Sequence, residues 1–113
     1  MHAMVTGGAG FIGSHLSRKL ISLNWDVTIC DNLSSGKKEN IPNGVNFIYA
    51  DLTDETSVNL FPNQKIDVVF HLASHVGQEL SFERPVHDLK TNSNSTMILL
   101  DWCLKKKIKQ FIF

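Results

Sequence analysis

The stretch Thr6-Gly7-Gly8-Ala9-Gly10-Phe11-Ile12-Gly13 decides how the rest of this 113-residue chain is read. A short apolar run from Met1 to Thr6 leads straight into it. A helical stripe leads out of it: Ile12, Leu16, Leu20 and Leu23 recur at spacings of four, four and three. That combination predicts a buried strand, a tight turn and an amphipathic helix over Phe11 to Leu23. The glycines at 7, 10 and 13 have the spacing G-x-x-G-x-x-G. One permits the sharp turn, a second lets a pyrophosphate approach the backbone, and the third lets helix and strand pack closely. The amides around Phe11 and Ile12 then face the diphosphate with the positive end of the helix dipole. The plainer alternative is a turn that only reverses the chain.

Downstream, Asn24 suits a left-handed helix cap, and Asp26 to Cys30 reads as a second, β-branched strand. Asp31 ends it, roughly 20 residues after the glycines, where a carboxylate accepts both hydroxyls of an adenosine ribose and repels a 2′-phosphate. This favours NAD over NADP; the alternative is that Asp31-Asn32 merely opens a turn. Asp31 to Gly44 is a polar loop with a short helical turn, and Val45 to Ala50 a third strand. Thr53 or Asp54 caps a short helix to about Phe61. Ile66 to Leu72 is a fourth, almost continuously apolar strand. A loop runs from Ala73 to about Arg84. Pro85 starts a long helix to about Lys106, and Ile108 to Phe113 is a fifth strand. Strands alternating with helices predict an α/β Rossmann-type parallel sheet, order 3-2-1-4-5, with helices on both faces and one domain over 1–113. The apolar last strand needs a cover, from a partner chain or from further polypeptide.

Composition narrows the function classes. Eleven Lys+Arg balance eleven Asp+Glu, so the formal net charge is zero. That argues against nucleic-acid binding on a large basic surface. Lys105, Lys106 and Lys107 read as a solvated cap opposing the helix dipole. No apolar run approaches ~18 residues, so no membrane span is expected. The first residues lack a charged leader. Cys30 and Cys103 show no metal-ligand spacing, and reduced core thiols in a cytoplasmic protein are expected. No metal site is expected.

Four segments occur in order: Thr6 to Ser14, Asp31-Asn-Leu-Ser-Ser-Gly36, Asp51-Leu-Thr-Asp54, and Asp67-Val-Val-Phe-His-Leu-Ala73. Together they resemble the N-terminal part of an extended short-chain dehydrogenase/reductase, within it the NAD-dependent nucleotide-sugar epimerases and dehydratases, the UDP-glucose 4-epimerase-like branch. The resemblance covers essentially the whole chain but about a third of a usual family member. It implies that Gly7, Gly10, Phe11, Ile12 and Gly13 hold the pyrophosphate. Asp31 binds the adenosine ribose, with Asn32, Ser35 and Gly36 lining the same end. Asp51 and Leu52 receive the adenine. Leu72, Ala73 and Ser74 pass along the cofactor, although members often carry alanine where Ser74 stands. Asn92 matches the asparagine of the family's Asn-Val-x-Gly-Thr helix segment, here Asn92-Ser-Asn-Ser-Thr96. Ser95 replaces the glycine, a departure that bears on helix-to-sheet packing.

The run Asn92 to Thr96 is physically odd for a buried helix, because small polar side chains are indifferent helix formers and need partners. Asn92 either orders the loop beside the nicotinamide or joins a solvated face. His71, at a strand end, reads as a histidine satisfied by hydrogen bonds before it reads as catalytic. His75, Gln78, Glu79 and Ser81 are candidates for touching a sugar nucleotide. Tyr49 reads as packing.

The family's chemistry is hydride transfer between the sugar and NAD, with a tyrosinate taking the hydroxyl proton beside a lysine. No Tyr-x-x-x-Lys occurs in these residues, so no catalytic residue is assigned and no turnover of a nucleotide-sugar substrate is expected from them alone. Two classes remain open: the NAD-binding portion of an epimerase or dehydratase, and a stand-alone NAD-binding module or inert truncated product. A homo-oligomer is expected to hide the exposed strand edge and long helix.

Overall fold

In the computed structural model, which describes residues 1–74 and 82–113, five parallel strands form one sheet in the order β3-β2-β1-β4-β5. They are β1 (His2–Thr6), β2 (Asp26–Asp31), β3 (Asn46–Tyr49), β4 (Val68–His71) and β5 (Gln110–Ile112). The order is the expected one. Parallel strands sit between helical layers, so both faces must be apolar. β1 shows how alternate side chains divide the work. Ala3 and Val5 face one way, into a core with Val27, Ile29, Val68 and Leu20 of α1 (Phe11–Ser22). Met4 faces the other way, into a core with Cys30, Ile48, Val69 and the residues Leu99, Trp102 and Cys103 of the last helix. There Trp102 meets Phe61 edge to face at 4.9 Å, the arrangement aromatic quadrupoles favour.

The ladders are shorter than the apolar runs. Ile66 is buried yet precedes β4, because hydrophobicity continues past the point where a neighbouring strand offers hydrogen bonds. In α1 the sequence stripe is only partly the packed face. Leu20 is buried and Leu16 half-buried, while Ile12 and Leu23 are exposed. Gly13, Ser14 and Ser17 take the buried positions instead, because the glycine turn brings the helix too close to the sheet for large side chains. Asn24 adopts the left-handed conformation, with φ 59°.

The expected short helix is present in 3-10 form, over Glu55–Leu60. Of its two candidate caps, Asp54 performs the task, accepting from Thr56 N–H at 2.8 Å, while Thr53 bonds back to Asp51. The expected long helix is not uniform. It comprises α2 (Pro85–Leu89), a π-helical turn (Lys90–Asn94) and α3 (Ser95–Lys106). The hydroxyls of Ser95 and Thr96 donate to the carbonyls of Thr91 and Asn92, four residues back. The Ser95 N–H reaches one residue further, to Lys90 C=O. Side-chain donors at i−4 acceptors loosen the α-helical ladder, and they accompany the wider turn here. At the far end Lys107 is the left-handed cap, φ 57°, and Lys105 pairs with Asp101 at 2.6 Å.

Candidate functional site

The glycine turn lies where β1 ends, between β2 and β4. Gly7 has φ +68°, and a Cβ there would stand 2.7 Å from Ala73 N. Its own N–H donates to Cys30 C=O at 2.9 Å. A Cβ on Gly13 would stand 2.3 Å from Gly7 O, so this glycine is the one demanded by helix-to-turn packing. Gly10 is different: a Cβ there would meet only Gly7 O, at 3.2 Å. It borders open space. The first intrahelical bond of α1 is Ser14 N–H to Gly10 C=O, 3.0 Å. The amides of Phe11 and Ile12 thus have no acceptor in their own helix, and they stand at its positive end. Their side chains are exposed, by 80% and 67%.

Asp31 is buried, with 8% of its surface exposed. One carboxylate oxygen accepts from Ala9 N–H at 2.9 Å and the other from Leu33 N–H at 2.8 Å. An ionised carboxylate has about four acceptor sites, so each oxygen retains capacity for one more donor. The residue therefore both opens a turn and presents a carboxylate to a cleft. Asn32 repeats the turn device by accepting from Ser34 N–H at 3.0 Å, and Leu33 between them has φ 56°. Further along the loop, Lys37 N–H and Asn40 Nδ2 both donate to Ala9 C=O, at 3.1 and 3.0 Å. Gly36 rests on Ala9, with space for no Cβ: one would lie 2.8 Å from Ala9 Cβ. The loop after β2 is thus clamped onto the tip of the glycine turn.

On the other side stands His71, at the end of β4 and in register with Thr6. Its Nδ1 lies 2.7 Å from Thr6 Oγ1 and its Nε2 2.9 Å from Thr96 Oγ1. Burial pushes its pKa down to about 4, so the ring is neutral at physiological pH. It is the hydrogen-bonded histidine of the sequence reading. Its ring also lies 5.8 Å from that of Phe111.

A cleft of about 820 Å³ runs along the carboxyl ends of the strands. Gly7, Gly10, Phe11, Ile12 and Gly13 line its middle. Asp31, Asn32, Ser35, Gly36, Asp51 and Leu52 line the β2–β3 end, and Leu72, Ala73, Ser74 and Asn92 the β4 end. Every residue singled out for a cofactor thus borders one cavity. His75, Gln78, Glu79 and Ser81 lie outside the described residues. Tyr49 is exposed and borders no part of the cleft. Sequence reasoning missed Ser34, Thr53, Thr91, Ser95 and Thr96 among the lining residues. For Ser95 and Thr96 the available signal was the unexplained polar run from Asn92. Cys30 also reaches the cleft, but burial and the nearby Asp31 and Asp51 push its thiol up to about 12. Among the described residues no cluster of His, Cys, Asp and Glu is arranged to hold a metal ion, and no helix is long and apolar enough to cross a membrane.

A parallel sheet of order 3-2-1-4-5, with a glycine turn at the point where strand order reverses, defines the Rossmann-type α/β class. Within it, the chain belongs to the NAD dependent epimerase/dehydratase family, whose model matches residues 3–113. A putative UDP-glucose 4-epimerase of Methanocaldococcus jannaschii is 40% identical over 97% of this chain and 36% of its own length. A UDP-N-acetyl-alpha-D-glucosaminuronate decarboxylase of Bacillus cytotoxicus is 39% identical over 97% of this chain and 35% of its own. Among solved structures, the UDP-glucose 4-epimerase of Thermotoga maritima with UDP-glucose superposes with a TM-score of 0.96 at 41% identity. It covers all of this chain, which covers 37% of it. The UDP-glucose 4-epimerase of Thermus thermophilus in complex with NAD gives 0.91 at 36% identity, again covering all of this chain and 37% of that one. The chain therefore spans about a third of the length of the relatives it matches.

Proposed function

We propose that this chain binds NAD across the carboxyl ends of β1, β2 and β4, as the dinucleotide-binding portion of a nucleotide-sugar epimerase or dehydratase. The observation that carries the reading is Asp31: a buried carboxylate fixed by two backbone N–H groups, with acceptor capacity left toward the cleft. Two vicinal hydroxyls match that capacity, and a 2′-phosphate does not. Gly7, Gly10 and Gly13 with the Phe11 and Ile12 amides hold the pyrophosphate. Asn32, Ser35 and Gly36 flank the ribose, and Asp51 and Leu52 the adenine. Leu72, Ala73, Ser74 and Asn92 follow the nicotinamide half. When bound, NAD supplies a hydride acceptor and donor for a nucleotide sugar.

What these residues contribute is binding and orientation. The single tyrosine, Tyr49, has Thr53 and not lysine four residues on, and it borders no part of the cleft. The 113 residues by themselves therefore bind NAD and turn over no sugar nucleotide; measurable epimerisation by the purified chain would refute this. The two free, buried thiols fit a cytoplasmic setting. The exposed Val86, Leu89, Met97 and Leu104 fit an outward face that a homo-oligomer covers, which sedimentation at micromolar concentration tests. Isothermal titration tests the main reading: NAD binds at least tenfold more tightly than NADP. Equal affinities, or heat from neither, would refute it.

A further inference from the structure

The hydrogen bonds around His71 have a direction that follows from their neighbours. The Thr96 hydroxyl donates its one proton to Asn92 C=O, at 2.7 Å. Toward His71 it can only accept, so Nε2 carries the ring proton. Nδ1 is then an acceptor, and the Thr6 hydroxyl donates to it. The Thr6 oxygen is left to accept from Ala73 N–H, at 3.3 Å. A single relay results: Ala73 N–H to Thr6, Thr6 to His71, His71 to Thr96, Thr96 to Asn92 C=O. It begins in the segment after β4, crosses the ends of two central strands, and ends in the π-helical turn.

Each end of this relay lies on the cleft wall. Ala73 and Asn92 both border it, as do Thr91, Ser95 and Thr96. In the π turn the carbonyls of Thr91 and Asn92 accept from the hydroxyls of Ser95 and Thr96. Of those two hydroxyls, that of Thr96 alone is tied to the sheet among the described residues. Burial keeps the imidazole neutral, which the directional pattern requires.

We propose that Thr6, His71 and Thr96 are positioning residues: their relay anchors the widened helical turn to the strand ends and so sets the wall along the β4 half of the cleft. The inference deepens the NAD reading and rests on it for the identity of the ligand. The adenosine end, at Asp31, and the glycine turn are held by separate hydrogen bonds. Disturbing the relay should therefore affect a ligand that extends past the pyrophosphate toward β4, and spare one that stops there.

The test is Thr96→Val, which keeps the branched shape and removes the hydroxyl, with Thr96→Ser as the conservative control. NAD and ADP are titrated into the 113-residue chain. In Thr96→Val the NAD affinity is expected to fall about tenfold, the size of one lost hydrogen bond, with ADP affinity unchanged. Thr96→Ser should lie within about threefold of the parent. Equal losses for both ligands mean a merely structural role and overturn the proposal, as does unchanged NAD affinity in Thr96→Val. Nitrogen-15 spectra of His71 at pH 7 supply a readout free of any ligand. The parent should show a neutral ring protonated on Nε2, and Thr96→Val should alter the Nε2 signal. A charged ring, or the Nδ1-protonated tautomer, would overturn the relay. If neither ADP nor NAD binds the parent, the NAD reading fails, and the nitrogen spectra still decide the relay.

Discussion

Replacing Asp31 by Asn separates a residue that only reads a ligand from one that also builds the fold. The carboxylate is buried and holds Ala9 N–H at 2.9 Å and Leu33 N–H at 2.8 Å. Ala9 is fully buried, so its N–H has no water to turn to. Asparagine retains one oxygen, and its amide nitrogen, itself a donor, must face the other N–H. At least one hydrogen bond to a charged acceptor is lost, worth about 1.5–3 kcal/mol, and a buried donor is left bare. Against a total stability of roughly 5–15 kcal/mol, a loss of about 2 kcal/mol lowers the melting temperature by roughly 10 °C in a domain of this size. The assay is thermal unfolding followed by circular dichroism without ligand, beside titration with NAD. A residue used only for the ribose would leave the ligand-free melting temperature unchanged or raise it. An unshifted melting temperature in Asp31→Asn, with NAD affinity lost, would refute the structural half of this reasoning. The same logic predicts that Asp31→Ser, the simplest change meant to admit NADP, weakens NAD binding and gains little for NADP, because the turn that carries the phosphates loses its support.

The glycines give a contrast pair. Gly13→Ala would force a Cβ to within 2.3 Å of Gly7 O and 2.8 Å of Gly8 Cα, so cooperative unfolding should be lost. Gly10→Ala meets only Gly7 O at 3.2 Å and should fold within ~1 kcal/mol of the parent while losing NAD binding; the reverse ranking by denaturant titration would contradict the site. His71 has a folded pKa near 4 against an ordinary 6.5, so between those values the unfolded chain binds more protons. Stability should thus be level above pH 6.5 and fall by about 3 kcal/mol as the pH drops to 4, a limb that urea unfolding of His71→Gln should show flattened. Burial pushes the thiols of Cys30 and Cys103 up to about 12 and about 11. Both should resist a thiol reagent at pH 8 in the native chain and react on denaturation; fast native labelling would count against their burial.

The legible parts of the molecule were local in sequence. The strand, turn and helix around the glycines, the acid closing β2 and the apolar run of β4 each carry their signal within a few residues, and parallel alternation then leaves little choice of strand order. What was hidden is what depends on distance. Periodicity continued the last helix straight through Lys90 to Asn94, because a π turn has no hydropathy signature. The same run did register as polar out of place, and the partner that resolves it, His71, lies 25 residues from Thr96. The packed face of α1 departs from its apolar stripe for a related reason. Close approach at a glycine turn favours Gly13 and Ser17 over Ile12, which a hydrophobicity pattern ranks the other way. Nothing in the spacing pointed to Asn40, which reaches back 31 residues to Ala9.

These long-range contacts bracket the glycine turn from both sides. Toward β2, the Ala9 peptide is gripped at its N–H by Asp31 and at its C=O by Lys37 and Asn40, and Arg18 of α1 steadies the clamp by donating to Asn40 C=O at 3.0 Å. Toward β4, Ala73 packs against Gly7, while the bonds from Thr6 through His71 to Thr96 run on into the helical wall. A turn whose purpose is to present bare amides to an anion cannot satisfy itself by folding those amides inward, so it must be held by its flanks. Glycine lets the neighbouring segments come close enough to do so: Ala73 on one side of Gly7, and Gly36 against Ala9 on the other. Fold and site are therefore made by the same contacts. Changes of ligand preference at Asp31 must act through the turn's own support, and changes along the β4 half meet a wall in which Thr6, His71 and Thr96 are joined by hydrogen bonds.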